Sequence, residues 1–378
     1  MPRFILHIGL EKTGTTSIQR FLNTNRALLL ERNGRHYSHD PSLRRYASHL
    51  LLPASLLPDA NCEFIPSACR PDPARVRSAL QRLAGSDADA ILLSAEHLSS
   101  RLDAPAIEQL GSWLQPRRVE IIVYLRRQDE MALSSFSTAL RCGRRTWFRP
   151  RDVAASDRYF AYDALLAPWT ATFGQENIRI RLFDQDRFSG GDLITDFMAA
   201  IGVSKVQDWP RPAPQNQSLN LAEASLLRLV NCRLPTWEEA VRRGRPQEYQ
   251  QAQRMRARLL AEIGKVPAIA QASPLSRLLS GRERQQILER FAESNSRLAR
   301  AYLGSDRLFD SPAQETRIAD RSPNWSQGQV DSEQLAEIIL AMASHIDSLD
   351  QPFPGFQLLR TARGLARELW MPLGASSA

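Results

Sequence analysis

HIGLEKTGTT, residues His7 to Thr16, decides how this chain is read. Gly9 and Gly14 have the spacing of a nucleotide phosphate loop, G-x-x-x-x-G-K-[ST], and Thr16 takes the Ser/Thr position. Thr15 stands in the lysine slot, and Lys12 lies three residues earlier, inside the turn. Backbone N–H groups of a glycine turn that opens a helix point one way, and the helix dipole adds positive potential, so the segment reads as an anion cradle. The apolar run Phe4 to His7 before it reads as a buried strand. After it Ile18, Phe21, Leu22, Leu28 and Leu29 recur at helical spacing.

Outward from the loop the pattern alternates. Residues 33–74 carry several prolines and little periodicity, which predicts an irregular excursion over the surface. PARVRSALQRLAG then reads as a helix, DAILLSAE as a buried strand, DAPAIEQLGSWL as a helix with Asp103 as N-cap, and VEIIVYLRR as a further strand. DEMALSSFSTALR, NIRIRLF and GGDLITDFMAAIGV continue as helix, strand and helix. The expected class is α/β, with a central, mostly parallel sheet flanked by helices on both faces. That core is expected over residues 1–220. Residues 221–310 read as an Arg-, Ala- and Leu-rich helical region that could shape a binding site, 311–333 as a linker and 334–378 as a helical tail.

At 378 residues and 43% hydrophobic content the chain reads as a folded globular protein. Its formal charge is +8, almost all of the excess arginine, which suits bidentate binding of phosphate or sulfate. The arginines are scattered and no aromatic residues are interleaved with them, so a nucleic-acid partner is not expected. Cys62, Cys69, Cys142 and Cys232 have neither metal-ligand spacing nor a disulfide framework. MPRFILHIGL runs straight into the glycine turn and reads as a strand, no run approaches a membrane span, and the expected location is the cytoplasm. The basic, amphipathic stretch GFQLLRTARGLARELW permits peripheral membrane contact through the tail, although packing on the protein's own surface is the commoner use of such a helix. Oligomeric state is open.

The missing acid matters as much as the loop. A magnesium-triphosphate enzyme wants an Asp at the end of an apolar strand. The strands here end in LLSAEH, VYLRR and RLFDQD, and only the last offers one, late in the chain. The loop therefore predicts an anion bound without metal, neutralised by Lys12 and arginines. A second anion site is legible in VYLRRQDEMALSSF, where Arg126 ends a strand and Ser134 follows eight residues on, in the second turn of the next helix. Open parallel sheets bind ligands at this carboxyl edge.

KTGTT after a first strand, with a strand-end Arg and a Ser eight residues later, resembles the sulfotransferases that use 3′-phosphoadenosine 5′-phosphosulfate, and more specifically bacterial sulfotransferase-family proteins with H-I-G-x-P-K-T-G-T-T as first motif. Glu11 replaces the usual proline. RLFDQDRFSGGDLITDFMAAIGV and NQSL at 216–219 are also similar, and the resemblance spans roughly the first 220 residues. It implies a P-loop-like α/β fold, with Lys12 at the bridging oxygen and sulfonate. Gly14, Thr15 and Thr16, flanked by Thr13 and Ser17, would hold the 5′-phosphate, and Arg126 with Ser134 the 3′-phosphate. The implied donor is that phosphosulfate, with no metal, and the implied acceptor a hydroxyl on a glycan or glycolipid.

Sulfonate transfer also needs a base for the acceptor proton. Glu96, at a strand end, and His49, in RRYASHLLL, rank ahead of His97, with His36 and His39 weaker. Glu11 is expected to turn outward, toward the acceptor or an arginine, because a carboxylate facing the cradle repels an anion. Two other readings fit the loop: a kinase-like P-loop nucleotide enzyme, and a non-catalytic anion- or glycan-binding protein on the same fold.

Overall fold

The computed structural model describes residues 1–58, 65, 69–213, 218–265 and 267–310. Cys62, the NQ of NQSL, the linker at 311–333 and the tail at 334–378 lie outside them. The chain divides into two compact units. One comprises the described residues of 1–135, 149–213 and 281–310; the other comprises those of 136–148 and 218–280.

The first unit opens with β1 (Arg3–His7), α1 (Thr15–Thr24), α2 (Arg26–Asn33), β2 (Arg35–Tyr37), α3 (Leu51–Leu56) and α4 (Pro73–Ala84). It continues through β3 (Ala90–Ser94), α5 (His97–Arg101), α6 (Ala104–Leu114), β4 (Val119–Leu125), α7 (Gln128–Arg141), α8 (Tyr162–Phe173), β5 (Ile178–Leu182) and α9 (Leu193–Ala200). The five strands form one all-parallel sheet in the order β2-β3-β1-β4-β5. Asp103 is the N-cap of α6 as expected, its carboxylate accepting from Ala106 N at 3.1 Å.

The sheet is buried on both faces, which is why its strands read as continuous apolar runs. On one face Ile5, Leu92, Ile122 and Tyr124 pack with Ile18, Phe21 and Leu22 of α1, Leu29 of α2, and Phe197 and Met198 of α9. By the period-two alternation of a strand, Phe4, Leu6, Ile91, Leu93, Ile121 and Val123 face the other way, and they too are fully buried. Each such side chain contributes about 1.5–3 kcal/mol through burial. β1 is central, flanked by β3 and β4. From β1 the chain moves toward β2 and from β4 toward β5, so these two neighbours diverge at a topological switch point.

The stretch 33–74 is not wholly irregular. It supplies β2 at one side of the sheet and α3, and only three residues of β2 pair, too few for a periodic signal.

In the second unit α10 (Leu221–Asn231), α11 (Trp237–Arg242), α12 (Pro246–Ile263) and α13 (Pro267–Ala270) follow the last turns of α7. Its buried polar residue Arg256, 1% exposed, donates through Nε to Asn231 Oδ1 at 2.7 Å, and a part-exposed bidentate Arg145–Glu239 pair lies within the same unit. Within the region read as helical, residues 281–303 form two helices, α14 (Gly281–Glu289) and α15 (Ala292–Leu303). Both belong to the α/β unit. Arg284 on α14 pairs with the buried Asp129 at 2.7 Å, and Asn295 on α15 exchanges hydrogen bonds with Gln128 at 2.7 and 3.1 Å.

Candidate active site

The loop between β1 and α1 is built from left-handed backbone. Gly9, Lys12 and Gly14 have φ of 52°, 69° and 73°. For lysine that conformation stores about 1–3 kcal/mol, a strain that concentrates at functional positions. The turn is braced from within: Thr13 Oγ1 donates to Leu10 O at 2.7 Å, and Ser99 Oγ of α5 donates to Gly9 O at 2.6 Å. Gly14 is the N-cap of α1, with no side-chain cap and no acid in the first turn. Ser17 N and Ile18 N donate to Gly14 O at 3.0 and 3.1 Å. The N–H groups of Gly14, Thr15 and Thr16 take no acceptor among the described residues, so they remain for an anion.

Glycine is required at both ends of this turn. A Cβ at Gly14 would lie 2.2 Å from Leu193 Cδ2, and one at Gly9 would lie 2.5 Å from Thr15 Cγ2 and 3.3 Å from Glu96 Cα. Leu193 can rotate away; the Glu96 backbone cannot. We therefore expect Gly9→Ala to lose about 2–3 kcal/mol of stability, from left-handed strain and the crowded strand end together, in urea titration.

Arg126 stands at the end of β4, across the switch point. Its Nη1 donates to Lys12 O at 3.1 Å, its Nε pairs with Glu130 at 3.1 Å, and its guanidinium lies 5.1 Å from the centre of the Phe183 ring. The Tyr162 hydroxyl donates to Arg126 O, fixing the strand end from below. Ser134 is buried in the second turn of α7. The structure thus joins the two segments that the sequence singled out, through one hydrogen bond from guanidinium to loop carbonyl.

Glu96 lies two residues past β3, as the N-cap of α5, and abuts Gly9. One carboxylate oxygen accepts from Gln19 Nε2 at 2.8 Å, and Gln19 is a buried polar residue on the inner face of α1. No motif marked Gln19; a polar side chain on an apolar helix face is the signal that could have. His97 follows Glu96 as the first residue of α5.

His49 does not suit the base role. It is fully buried; Nδ1 accepts from Ser94 N at 3.0 Å and Nε2 therefore donates to Ser38 O at 2.8 Å. Neither nitrogen can take a proton from an acceptor. Burial holds its pKa down, at about 4. From the other side of Ser94 the buried His7 bonds Oγ through Nδ1 at 2.8 Å, and burial lowers its pKa to about 3. Two neutral histidines thus clamp the strand end that carries Glu96. His36 and His39 form a separate pair, ring centres 6.4 Å apart.

Glu11 is half-buried and makes no ion pair among the described residues; it lies beside Tyr159, with Arg101 of α5 also near that phenol. Asp184, the acid in RLFDQD, caps its own turn by accepting from Asp186 N. No helix of the described residues is long and apolar enough to cross a membrane.

No family model matches the chain. An uncharacterized protein of Archaeoglobus fulgidus is 26% identical over 208 residues, 55% of this chain and 52% of that protein, so the chain spans about half the length of this relative. Among solved structures, a sulfotransferase from Alicyclobacillus acidocaldarius is similar over 61% of this chain and 92% of its own, with 16% identity and a TM-score of 0.38.

Proposed function

We propose that this protein transfers a sulfonate group from 3′-phosphoadenosine 5′-phosphosulfate to a hydroxyl, on a glycan or glycolipid. One observation carries the reading: the Arg126-to-Lys12 hydrogen bond, which draws two anion-binding elements together at the switch point of a parallel sheet. A donor with phosphates on both its 5′ and 3′ sides calls for two such elements. A nucleoside triphosphate calls for one and a metal.

In this reading the open N–H groups of Gly14, Thr15 and Thr16 would hold the 5′-phosphate, and Arg126 with Ser134 the 3′-phosphate. Lys12 would neutralise the bridging oxygen as the bond from sulfur to that oxygen breaks. A new bond forms between sulfur and the acceptor oxygen, the acceptor proton passes to Glu96, and adenosine 3′,5′-bisphosphate leaves. Gln19 would keep the Glu96 carboxylate oriented.

One feature favours a kinase-like alternative: Glu96, two residues past the end of β3, lies beside Gly9 of the loop, near where a magnesium-holding acid would stand. Incubation with radiolabelled phosphosulfate and a panel of glycan, glycolipid and phenol acceptors, with EDTA present, separates the readings. Label transfer in EDTA is expected; magnesium-dependent phosphate transfer from ATP in its place would establish the kinase.

A further inference from the structure

Phe183 is the first residue past β5, and its N–H donates to Leu125 O at 2.7 Å, which brings it level with Arg126 at the end of the neighbouring strand. Its ring meets both anion elements. The Arg126 guanidinium lies over it, 5.1 Å from the ring centre. Ring carbon Cε2 stands only 3.3 Å from where a Cβ on Gly14 would be, so the ring also packs against the glycine that opens α1. From behind, the ring is fixed in turn. It meets Phe188 edge-on, centres 5.6 Å apart at 70°, and Phe188 meets Tyr124 edge-on at 6.4 Å. The Tyr124 hydroxyl donates to Asp196 Oδ2 at 2.6 Å.

What the ring does there follows from the bonds that Arg126 makes. Nε is taken by Glu130 and one Nη1 proton by Lys12 O, whereas Nη2 takes no acceptor among the described residues. The side chain keeps 22% of its surface open. With Glu130, the Lys12 carbonyl and the ring around it, the guanidinium is held in one orientation, and the Nη2 edge is left for an incoming anion. An arginine that clamps a phosphate from a mobile state loses rotamer freedom on binding; one held beforehand loses little. A cation over an aromatic face is attracted without being neutralised, so the ring fixes Arg126 and leaves its charge for the ligand.

Resting on the sulfonate-transfer reading, we propose that Phe183 is a positioning residue of the nucleotide site. Its ring holds the Arg126 guanidinium at a fixed place beside the anion loop and so sets the preference for a nucleotide that carries a second phosphate. It acts through Arg126 and has no need to touch the nucleotide itself.

Phe183→Leu keeps an apolar side chain against Gly14 and removes the aromatic face; Phe183→Tyr keeps the face. Calorimetric titration in EDTA with adenosine 3′,5′-bisphosphate and with adenosine 5′-phosphate reads the ratio of the two affinities. In Phe183→Leu that ratio is expected to fall roughly 3- to 10-fold through weaker binding of the bisphosphate. Affinity for adenosine 5′-phosphate, held by the loop N–H groups, should stay within about twofold. In Phe183→Tyr the ratio should lie within about twofold of wild type. Thermal melting shows which variants fold, and Phe183→Met, whose flexible chain fills the same space, replaces the leucine variant if that one does not. An unchanged ratio in the folded aliphatic variant overturns the assignment. So does an equal loss for both ligands, which would make the ring packing alone, and so does a tyrosine variant as impaired as the aliphatic one. The two proposals fail separately. A wild type with no preference for the bisphosphate overturns the reading on which this rests, whereas a wild-type preference that survives loss of the ring overturns the Phe183 role alone.

Discussion

Lys12→Met is expected to lower turnover about 100- to 1,000-fold, the loss that follows removal of one preorganised charge from a developing oxyanion. The reason lies in the loop's shape. Lys12 is held in left-handed backbone, its carbonyl is tied to Arg126, and three N–H groups at the start of α1 are left for an anion. Those N–H groups survive the substitution, so adenosine 3′,5′-bisphosphate should still bind, with KM for the donor changing less than about tenfold. Steady-state kinetics with labelled donor separate the two effects. A kcat within about threefold of wild type would remove Lys12 from the chemistry.

The second large effect concerns stability in acid. His7 and His49 are both fully buried and neutral, with pKa values of about 3 and about 4, against about 6.5 in an unfolded chain. Between those values and pH 6.5 the unfolded chain binds more protons than the folded one, so stability is full above about pH 7 and falls as pH drops through 6.5. Each histidine withdraws about 2 kcal/mol at pH 5 relative to pH 8, about 4 kcal/mol together, a large share of the stability of an ordinary domain. Asp192 and Asp196 do not confuse the reading. Their carboxylates are held below the usual range, burial working upward but outweighed by bonds to Arg211 and Thr195 for Asp192 and to Arg181 and Tyr124 for Asp196, so they act only at lower pH. Urea titrations at pH 8, 6 and 5 measure the loss. His49→Gln keeps a donor and an acceptor without a titrating ring and should flatten the profile by about half; an unaltered profile would contradict the assignment.

What was legible in the sequence had local causes. Runs such as AILLS and VEIIVYL announced strands buried on both faces, Asp103 announced its helix, and two glycines five residues apart announced the turn. Distant pairings had no local trace. β2 exists because Arg35, His36 and Tyr37 align with Ala90, Ile91 and Leu92, not because its own residues favour a strand. Residues 281–310 resemble the helices before them in composition, and they pack with the α/β unit through Asp129, Gln128 and Asp163, which lie 131 to 167 residues away in bonds such as Gln128–Asn295 and Ser294–Asp163.

The site divides in the same way. Lys12, Gly14, Thr15 and Arg126 were candidates from their order along the chain, and the fold sets Arg126 against the Lys12 carbonyl. A histidine such as His49 reads the same in sequence whether its ring is exposed or sealed, and only the bonds to Ser38 and Ser94 tell a clamp from a base.

The central claim is that two anion elements hold one nucleotide without metal, and calorimetric titration in EDTA tests it most directly. Wild-type protein is expected to bind adenosine 3′,5′-bisphosphate at least about tenfold more tightly than adenosine 5′-phosphate, since a charge-assisted contact to the second phosphate is worth about 1.4 kcal/mol or more. Arg126→Met should erase that preference while leaving adenosine 5′-phosphate binding nearly unchanged. Equal affinities in the wild type, or binding only of ATP and only with magnesium, would contradict the account.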